Sequence, residues 1–289
     1  MDDQIKGRCF GFMASLDFRT WPADDVAQCL ADLGYSAVEW TLAHFHPDRT
    51  PEELSELVRI TERHGLIFSE AVIQQDLVSL DPAVYEERIA LVAASIQAAA
   101  RAGVKILNVF TGPAPWIDRS PRLGIDISEG DAWKLVLGAY QRLLGLAERY
   151  HVVLAVEPCY SHLVHDYYTL KELLDHFDSE YLKVNFDPSH FQLYGNDVPW
   201  AVHRLGNRIC HVHLKDVVGK PGVFFQDFSN PMLGSGKVDW KAFAAALDDI
   251  GYQGALSVEF EAFSYYEKVL KNDPARAAAI SMEQLKNLF

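Results

Sequence analysis

One pattern recurs along this chain of 289 residues: a charged helix end, often with a glycine, precedes a short apolar run that finishes in polar residues. Six segments share it: "ADLGYSAVEW", "ERHGLIFSEAV", "ARAGVKILNVF", "ERYHVVLAVEP", "HRLGNRICHVHLKD" and "DDIGYQGALSVEFE". Glycines stand where a helix C-cap needs a left-handed residue, at Gly34, Gly65, Gly103, Gly206 and Gly251. The pattern predicts helices and strands in strict alternation.

Two further runs, "RCFGFMA" and "YLKVNFD", bring the predicted strands to eight. None alternates strictly between apolar and polar residues, as expected of strands covered on both faces. Eight βα units in this length predict the α/β class and a single (β/α)8 TIM barrel, with residues 1–289 as one domain. An open doubly wound sheet is the alternative, but "FGFMAS" is not the GxGxxG turn of a dinucleotide-binding sheet.

The segments between the predicted strands carry apolar residues at helical spacing. The third predicted helix has the stripe Tyr85, Ile89, Val92, Ile96 and Ala99, and the fourth has Trp133, Leu137, Tyr140, Leu144 and Ala147. Helix starts are predicted at Thr50-Pro51 and Asp81-Pro82, where a capping residue precedes a first-turn proline. The C-terminal segment predicts two helices separated by an Asp-Pro break, and we expect it to cover the barrel or a neighbouring subunit.

Charge and cysteine content argue against several classes of partner and location. The net charge of −14 opposes contact with a phosphate backbone, so we expect no nucleic-acid partner. Four cysteines without paired spacing predict reduced thiols in a cytoplasmic protein. The first residues show no signal peptide, and no apolar run approaches the roughly 20 residues of a membrane span.

Polar residues finish the last four predicted strands, at the end where barrel enzymes hold their catalytic groups. They are Glu157 on the fifth strand, Asp187 and His190 on the sixth, His211 and His213 on the seventh, and Glu259 and Glu261 on the eighth. Such oxygen and nitrogen ligands suit Mn²⁺, Mg²⁺ or Co²⁺, with Zn²⁺ as a further candidate. Without a cation, several carboxylates in one desolvated mouth would be costly. We therefore predict one divalent cation.

Spacing alone does not decide which of these residues bind the ion. His211 and His213 point to the same face of a strand, so His213, nearer the mouth, is the expected ligand and His211 a deeper core residue. Whether Glu259 or Glu261 is the eighth-strand ligand is undecided at this point. Glu39 and Glu70 end the second and third predicted strands, either as functional groups or as structural ion pairs.

The motifs "AVEP", "NFDPSHF", "HVHLKD" and "LSVEFE", in this order, resemble those of the xylose-isomerase-like barrel superfamily. That superfamily includes sugar phosphate isomerases and epimerases, ketose 3-epimerases, and inosose dehydratases and isomerases. The resemblance covers essentially the whole chain and is specific in its second half. It implies one cation, commonly Mn²⁺, held by Glu157, Asp187, His213 and Glu259. It further implies that Glu157 and Glu259 exchange protons with carbon and that His190 contacts the substrate.

These residues predict a metal-dependent isomerase or epimerase acting on a keto-sugar or related polyol. A cation polarises the carbonyl, and Glu157 and Glu259 remove and return the neighbouring proton through an enediolate. A lyase using the same enediolate is the main alternative, either a dehydratase of inosose type or an enzyme that cleaves 3-keto-glycosides. An endonuclease IV-type AP endonuclease is remote, because "ILNVFTGP" has no histidine and "QDFSNP" lacks a DxH motif. A non-catalytic binding barrel is disfavoured because all four ligands are present.

Several further residues are candidates for contact with a small sugar substrate. Lys215 either contacts the substrate or pairs with Asp216, while Trp116 and Phe12 either floor a sugar face or pack in the core. No strong phosphate cradle is evident, which favours an unphosphorylated substrate. We expect a homo-oligomer, a dimer or a tetramer. The loops that carry His44, His46, His162 and His165 are candidates for determining specificity, but we expect these four histidines to be solvated loop residues.

Overall fold

The computed structural model describes residues 7–117 and 119–289. Residues 1–6, on which the expectation of no signal peptide rests, lie outside that range. Eight parallel strands close into a barrel in the order β1-β8-β7-β6-β5-β4-β3-β2. The strands are β1 Cys9–Met13, β2 Ala37–Thr41, β3 Ile67–Val72, β4 Ile106–Val109, β5 Val153–Val156, β6 Leu182–Phe186, β7 Ile209–Leu214 and β8 Ala255–Val258. The predicted (β/α)8 barrel is confirmed, and the open doubly wound sheet is wrong.

Helices connect the strands and surround the barrel. They are α1 Ala23–Asp32, α2 Pro51–Arg63, α3 Pro82–Ala102, α4 Glu129–Tyr150, α5 Tyr167–His176, α6 Pro188–Leu193, α7 Val198–Leu205, α8 Trp240–Asp249, α9 Phe263–Tyr265 and α10 Pro274–Leu288. A short antiparallel hairpin, Val218–Gly219 with Phe228–Ser229, stands in the loop after β7. Across the described ranges, no helix combines the length and apolarity needed to cross a bilayer.

Helix ends follow the predicted capping residues. The Thr50 hydroxyl accepts the N–H of Glu53, whose carboxylate accepts the N–H of Thr50, which makes a capping box at the start of α2. Asp81 caps α3 with a single hydrogen bond, in which its Oδ1 atom accepts the N–H of Ala83. Gly103 ends α3 with φ of 81°, a left-handed conformation that glycine adopts without steric cost. These local signals set the lengths of the helices that lie against the barrel.

The core between strands and helices contains one residue that the sequence analysis assigned to the site. Phe12 lies beside Val38 and Val258 in register. Its ring packs edge-on against Phe18 and Tyr35, with ring centroids 5.9 and 5.6 Å apart. The side chain is fully buried in this layer. Phe12 therefore packs in the core, which was one of the two alternatives for this residue.

No disulfide joins the four cysteines, all of which lie within the described residues. Cys9, Cys29, Cys159 and Cys210 are all free. Cys159 is buried, and the other three are partly buried. Burial raises the pKa of the Cys210 thiol above its ordinary value.

Candidate metal centre

The candidate site lies where β5 to β8 end, because parallel strands in a closed barrel deliver their carboxyl ends to one mouth. Glu157 directly follows β5, and Glu259 directly follows β8. Asp187 follows β6 and also caps α6, where its Oδ1 atom accepts the N–H of Ser189 at 2.8 Å. This cap fixes the Asp187 side chain and leaves Oδ2 for other contacts.

Four side chains meet at this mouth. Candidate ligand atoms of Glu157, Asp187, His213 and Glu259 all lie within 4.8 Å of one another. The Nδ1 atom of His213 is 3.2 Å from Glu157 Oε1 and 3.3 Å from Glu259 Oε2. Three carboxylates and one imidazole around a common point form a mixed donor set that suits Mn²⁺ or Zn²⁺. The residues present therefore fit a divalent cation.

A lysine directly after β7 reaches into the same group. Lys215 is buried, and its Nζ atom lies 2.6 Å from Glu259, 2.9 Å from Asp187 and 3.2 Å from Glu261. The sequence left open whether Lys215 pairs with Asp216. That alternative is wrong, because Asp216 instead accepts N–H groups of the loop after β7, including those of Gly234 and Gly236 at 3.0 and 2.9 Å.

The pKa values of these groups are shifted both by burial and by neighbouring charges. Burial raises the pKa of Glu157 above its ordinary value. Burial also acts on Glu259, but the charges of Lys215 and His213 outweigh it and hold the pKa of Glu259 well below its ordinary value. Burial, and then the charge of Lys215, lower the pKa of His190 to about 4, so its ring is neutral at pH 7. A neutral His190, whose Nε2 atom is 3.3 Å from Lys215 Nζ, suits hydrogen bonding to an uncharged substrate.

A second cluster lies deeper in the barrel, beneath His213. Oε1 of Glu39 is 2.9 Å from His213 Nε2, and Oε1 of Glu70 is 3.3 Å from His211 Nδ1. Asn185 joins them through its Nδ2 atom, 3.1 Å from Glu70 Oε1 and 3.0 Å from His213 Nε2. The sequence left Glu39 and Glu70 undecided, and it missed Asn185 although "KVNFD" places it on an inward face. His211 occupies the deeper core position expected for it.

Aromatic rings form one wall of the mouth. The Trp116 ring is half exposed and lies 5.3 Å from the rings of Tyr160 and His162. The Tyr160 ring in turn lies 6.0 Å from that of His190. Trp116 is thus connected to the carboxylate cluster by two successive ring contacts. Sequence reasoning missed Tyr160, whose signal was its place in "CYSH" beside a candidate histidine.

Two loop histidines differ from expectation. His162 is 1% exposed and packs edge-on against Phe110 with ring centroids 4.7 Å apart. His44 is 7% exposed, and its Nε2 atom lies 3.0 Å from the carbonyl oxygen of Trp21. A solvated loop residue is therefore the wrong interpretation for both, because aromatic neighbours from other loops cover them.

A cavity of about 670 Å³ opens beside the carboxylates, at the ends of β1 and β2. Its lining includes Met13, Arg19, Gln74, Glu259, Glu261 and Phe263. Because Glu259 belongs both to this lining and to the four-residue cluster, a molecule in the cavity can contact one of the candidate ligands. The volume is within the range of small-molecule sites.

A family model described as Xylose isomerase-like TIM barrel matches residues 27–288. The chain belongs to this family. The matched range includes all four residues of the candidate metal centre, so the xylose isomerase-like resemblance inferred from the motifs is confirmed.

Several known proteins resemble this chain to different extents. An inosose dehydratase of Clostridium perfringens (strain 13 / Type A) is 28% identical over 144 residues, 45% of this chain and 48% of that protein. The match thus spans about half the length of this relative. A D-psicose 3-epimerase structure determined in the presence of D-fructose aligns over 96% of this chain and 97% of its own, with a TM-score of 0.76 and 17% identity. The IOLI protein with a binding zinc atom aligns over 97% and 99%, with a TM-score of 0.74 and 17% identity. At this identity the two structures show a shared fold alone.

Proposed function

We propose that the protein is a metal-dependent enzyme that isomerises or epimerises a keto-sugar or related polyol. The observation that carries this proposal is the convergence of Glu157, Asp187, His213 and Glu259 within 4.8 Å at the barrel mouth. These four side chains would hold one divalent cation, which supplies Lewis acidity toward a carbonyl oxygen and a neighbouring hydroxyl. Mn²⁺ is our proposed ion, with Mg²⁺, Co²⁺ and Zn²⁺ as the other candidates.

The acid and base are the two glutamates on either side of His213. Glu157, whose pKa burial raises, removes the proton from the carbon next to the carbonyl, and the C–H electron pair forms the enediolate of the substrate. Glu259, ionised at rest, passes a proton from the ammonium group of Lys215, 2.6 Å away, to the opposite face of the carbon. Glu157 then releases its proton to water, and Lys215 takes one up from water, which restores both groups. The outcome is an inverted or relocated stereocentre, with no net gain or loss of atoms.

The aromatic wall supports an uncharged sugar as substrate. Trp116 offers a half-exposed ring face at the mouth, the kind of apolar surface on which the C–H groups of a sugar pack. The nitrogen atoms of His162 are buried beside it without a hydrogen-bond partner in the described structure. We propose that Trp116 packs against the sugar and that His190 and Lys215 contact its hydroxyl groups. The similarity to an epimerase structure determined with D-fructose agrees with this substrate class.

A lyase remains the second candidate, and Glu261 favours it. Its Oε2 atom lies 3.2 Å from Lys215 Nζ, and burial raises the pKa of Glu261 to about 7. A carboxyl group that still holds a proton near neutral pH can protonate a leaving group on the carbon beyond the enediolate. The enediolate then loses that group instead of regaining a proton at carbon. The 28% identity to an inosose dehydratase supports the same alternative.

The deciding experiment follows hydrogen exchange at carbon. The Mn²⁺-loaded protein is incubated in D₂O with D-fructose, with a 3-keto-glucoside and with an inosose, and the products are identified by NMR. We expect deuterium next to the carbonyl of one substrate, together with either an epimer or an elimination product. Glu157→Gln should fold normally and abolish this exchange, while exposed Glu180→Gln, the matched control, should retain it. Continued exchange by Glu157→Gln, or full activity in a chelator, contradicts the proposal.

We also infer a cytoplasmic location. The four cysteines are free, a state that persists where thiols are kept reduced. The expected dimer or tetramer stays a prediction, to be checked by the sedimentation behaviour of the purified protein.

A further inference from the structure

His213 belongs to two clusters at once. Its Nδ1 atom faces the mouth, 3.2 and 3.3 Å from Glu157 and Glu259. Its Nε2 atom faces the barrel interior, 2.9 Å from Oε1 of Glu39. Both His213 and Glu39 are completely buried. The ring therefore connects the candidate metal centre to a carboxylate that the mouth does not reach.

We propose that Glu39 is the positioning residue of the metal centre, accepting the Nε2–H of His213 so that the unprotonated Nδ1 atom faces the ion. This inference rests on the metal centre proposed above and assigns a residue outside its four ligands. A neutral imidazole has one N–H group and one lone pair, so Nδ1 can bind a cation only when the proton is on Nε2. A partner for the outward N–H of a metal-bound histidine is the usual means of fixing that tautomer.

Glu39 is needed in this role because Asn185 favours the other tautomer of His213. Its Nδ2 atom lies 3.0 Å from His213 Nε2, and an amide N–H can donate only to an unprotonated ring nitrogen. The proton would then lie on Nδ1, facing the carboxylates, and that nitrogen could not bind an ion. The negative charge of Glu39, 2.9 Å from the same nitrogen, opposes an exposed lone pair there and attracts the N–H. Glu39 thus decides between two tautomers that the site would otherwise allow.

The lower cluster is better explained as this support than as a second ion site. Ligand atoms of Glu39, Glu70, His211 and His213 also lie within 4.8 Å of one another. However, one neutral His213 ring has a single lone pair and cannot bind one ion above and another below. All four residues are at most 1% exposed and none of them lines the cavity, whereas Glu259 of the upper cluster does, so the upper cluster is the one that an ion from solvent reaches. Asn185 also occupies hydrogen-bonding positions on both Glu70 and His213.

The test measures Mn²⁺ affinity by calorimetric titration of the full-length protein. Glu39→Leu removes the acceptor and should weaken Mn²⁺ binding about 10- to 100-fold, the effect typical of losing such an outer partner. Glu39→Gln retains a carbonyl oxygen that can accept the Nε2–H, so we expect affinity close to wild type. Glu180→Leu is the control, the same substitution at an exposed surface glutamate, and should leave the affinity unchanged. Thermal unfolding of the metal-free proteins checks that each variant folds.

A second measurement needs no variant. In Zn²⁺-loaded wild-type protein with ¹⁵N-labelled histidine, the His213 ring should show a metal-bound Nδ1 and a protonated Nε2. A metal-bound Nε2 overturns the inference, as does wild-type Mn²⁺ affinity in folded Glu39→Leu. So does a second bound Mn²⁺ that both Glu39→Gln and Glu70→Gln lose, since the lower cluster would then hold an ion. Failure of the wild-type protein to bind either metal instead overturns the metal centre itself.

Discussion

The Nζ atom of Lys215 lies 2.6 Å from Oε2 of Glu259, so the same carboxylate serves a buried ammonium group and a candidate metal centre. Although burial opposes it, the surrounding carboxylates raise the pKa of Lys215 well above its ordinary value, and the side chain is charged at neutral pH. The ammonium group therefore repels any divalent cation that approaches Glu259 and competes with it for the carboxylate oxygens.

Replacing this lysine should move metal affinity and metal-free stability in opposite directions. We expect Lys215→Met to tighten Mn²⁺ binding at least tenfold, about 1.4 kcal/mol, because the repulsion is removed. The metal-free protein should lose about 3–5 kcal/mol of unfolding free energy, because buried carboxylates lose their counter-charge. Calorimetric titration and urea unfolding measure the two effects. Lys220→Met, an exposed lysine after the same strand, should change neither, and unaltered Mn²⁺ affinity in Lys215→Met would contradict the competition.

The ring of Trp116 should contribute to substrate binding but not to metal binding. Trp116→Ala removes the half-exposed face at the mouth, and we expect KM to rise about tenfold with kcat changed little, since packing against a sugar contributes about 1–2 kcal/mol. Mn²⁺ affinity should stay at the wild-type value. Trp200→Ala is the matched control, because Trp200 is 40% exposed but lies on α7. Equal KM values for wild type and Trp116→Ala would remove this residue from the site.

Burial of His162 should make stability depend on pH. Burial lowers the pKa of His162 to about 3, against about 6.5 in an unfolded chain. Between these values the unfolded chain binds a proton that the folded protein does not bind, so unfolding free energy falls as pH falls below 6.5. From about pH 7 to pH 5 this residue should account for a loss of about 2 kcal/mol.

The variant that tests this is His162→Phe, since Phe110 and Trp116 already surround the ring with aromatic groups. Urea unfolding at the two pH values should show a loss about 2 kcal/mol smaller for His162→Phe than for wild type. Exposed His176→Phe serves as control and should keep the wild-type difference. Parallel pH profiles for His162→Phe and wild type would show that His162 is protonated equally in both states.

Asp216 should be among the most sensitive positions for stability. Its two carboxylate oxygens accept five hydrogen bonds, from the N–H groups of Val217, Gly234, Gly236 and Val238 and from Trp240 Nε1. Asp216→Asn replaces one of the two acceptor oxygens with an NH₂ group, which is itself a donor and faces the same donors. We expect a loss of about 3 kcal/mol in unfolding free energy. Chemical denaturation measures it, with exposed Asp48→Asn as control. A loss no greater than that of the control would contradict the importance of this carboxylate.

The strand ends could be read from the sequence because one rule governs all of them. In a barrel of parallel strands every carboxyl end reaches the same mouth, so Glu157, Asp187 and His213 could be placed together without knowing their distances. Depth inside the barrel is different, since it depends on how far each strand is shifted against its neighbours. Glu39 and Glu70 stand opposite each other only because the β2–β3 register shifts at Val38/Glu39. The sequence of one strand alone does not reveal that shift, because it is a property of the pair.

The sequence analysis also misjudged which residues of α4 are buried and which way Phe12 points. The predicted stripe on α4 included Trp133 and Leu137, which are only partly buried, whereas Ala132, Val136 and Ala139 face the core. Helices approach a barrel closely where side chains are small, and large apolar residues can lie at the edge of the contact. Phe12 was misassigned for a related reason: its neighbour Met13 lines the cavity, and one step along a strand reverses the direction of a side chain.

The hydrogen bonds of Asp216 bring the beginning of the Val217–Val238 excursion next to its end. A segment tied at its base costs little extra chain entropy when it grows, because each doubling of loop length adds only about 0.6 kcal/mol. Changes in the length and composition of this loop should therefore have little effect on the stability of the barrel. In this part of the molecule an engineer can exchange one insert for another without rebuilding the scaffold.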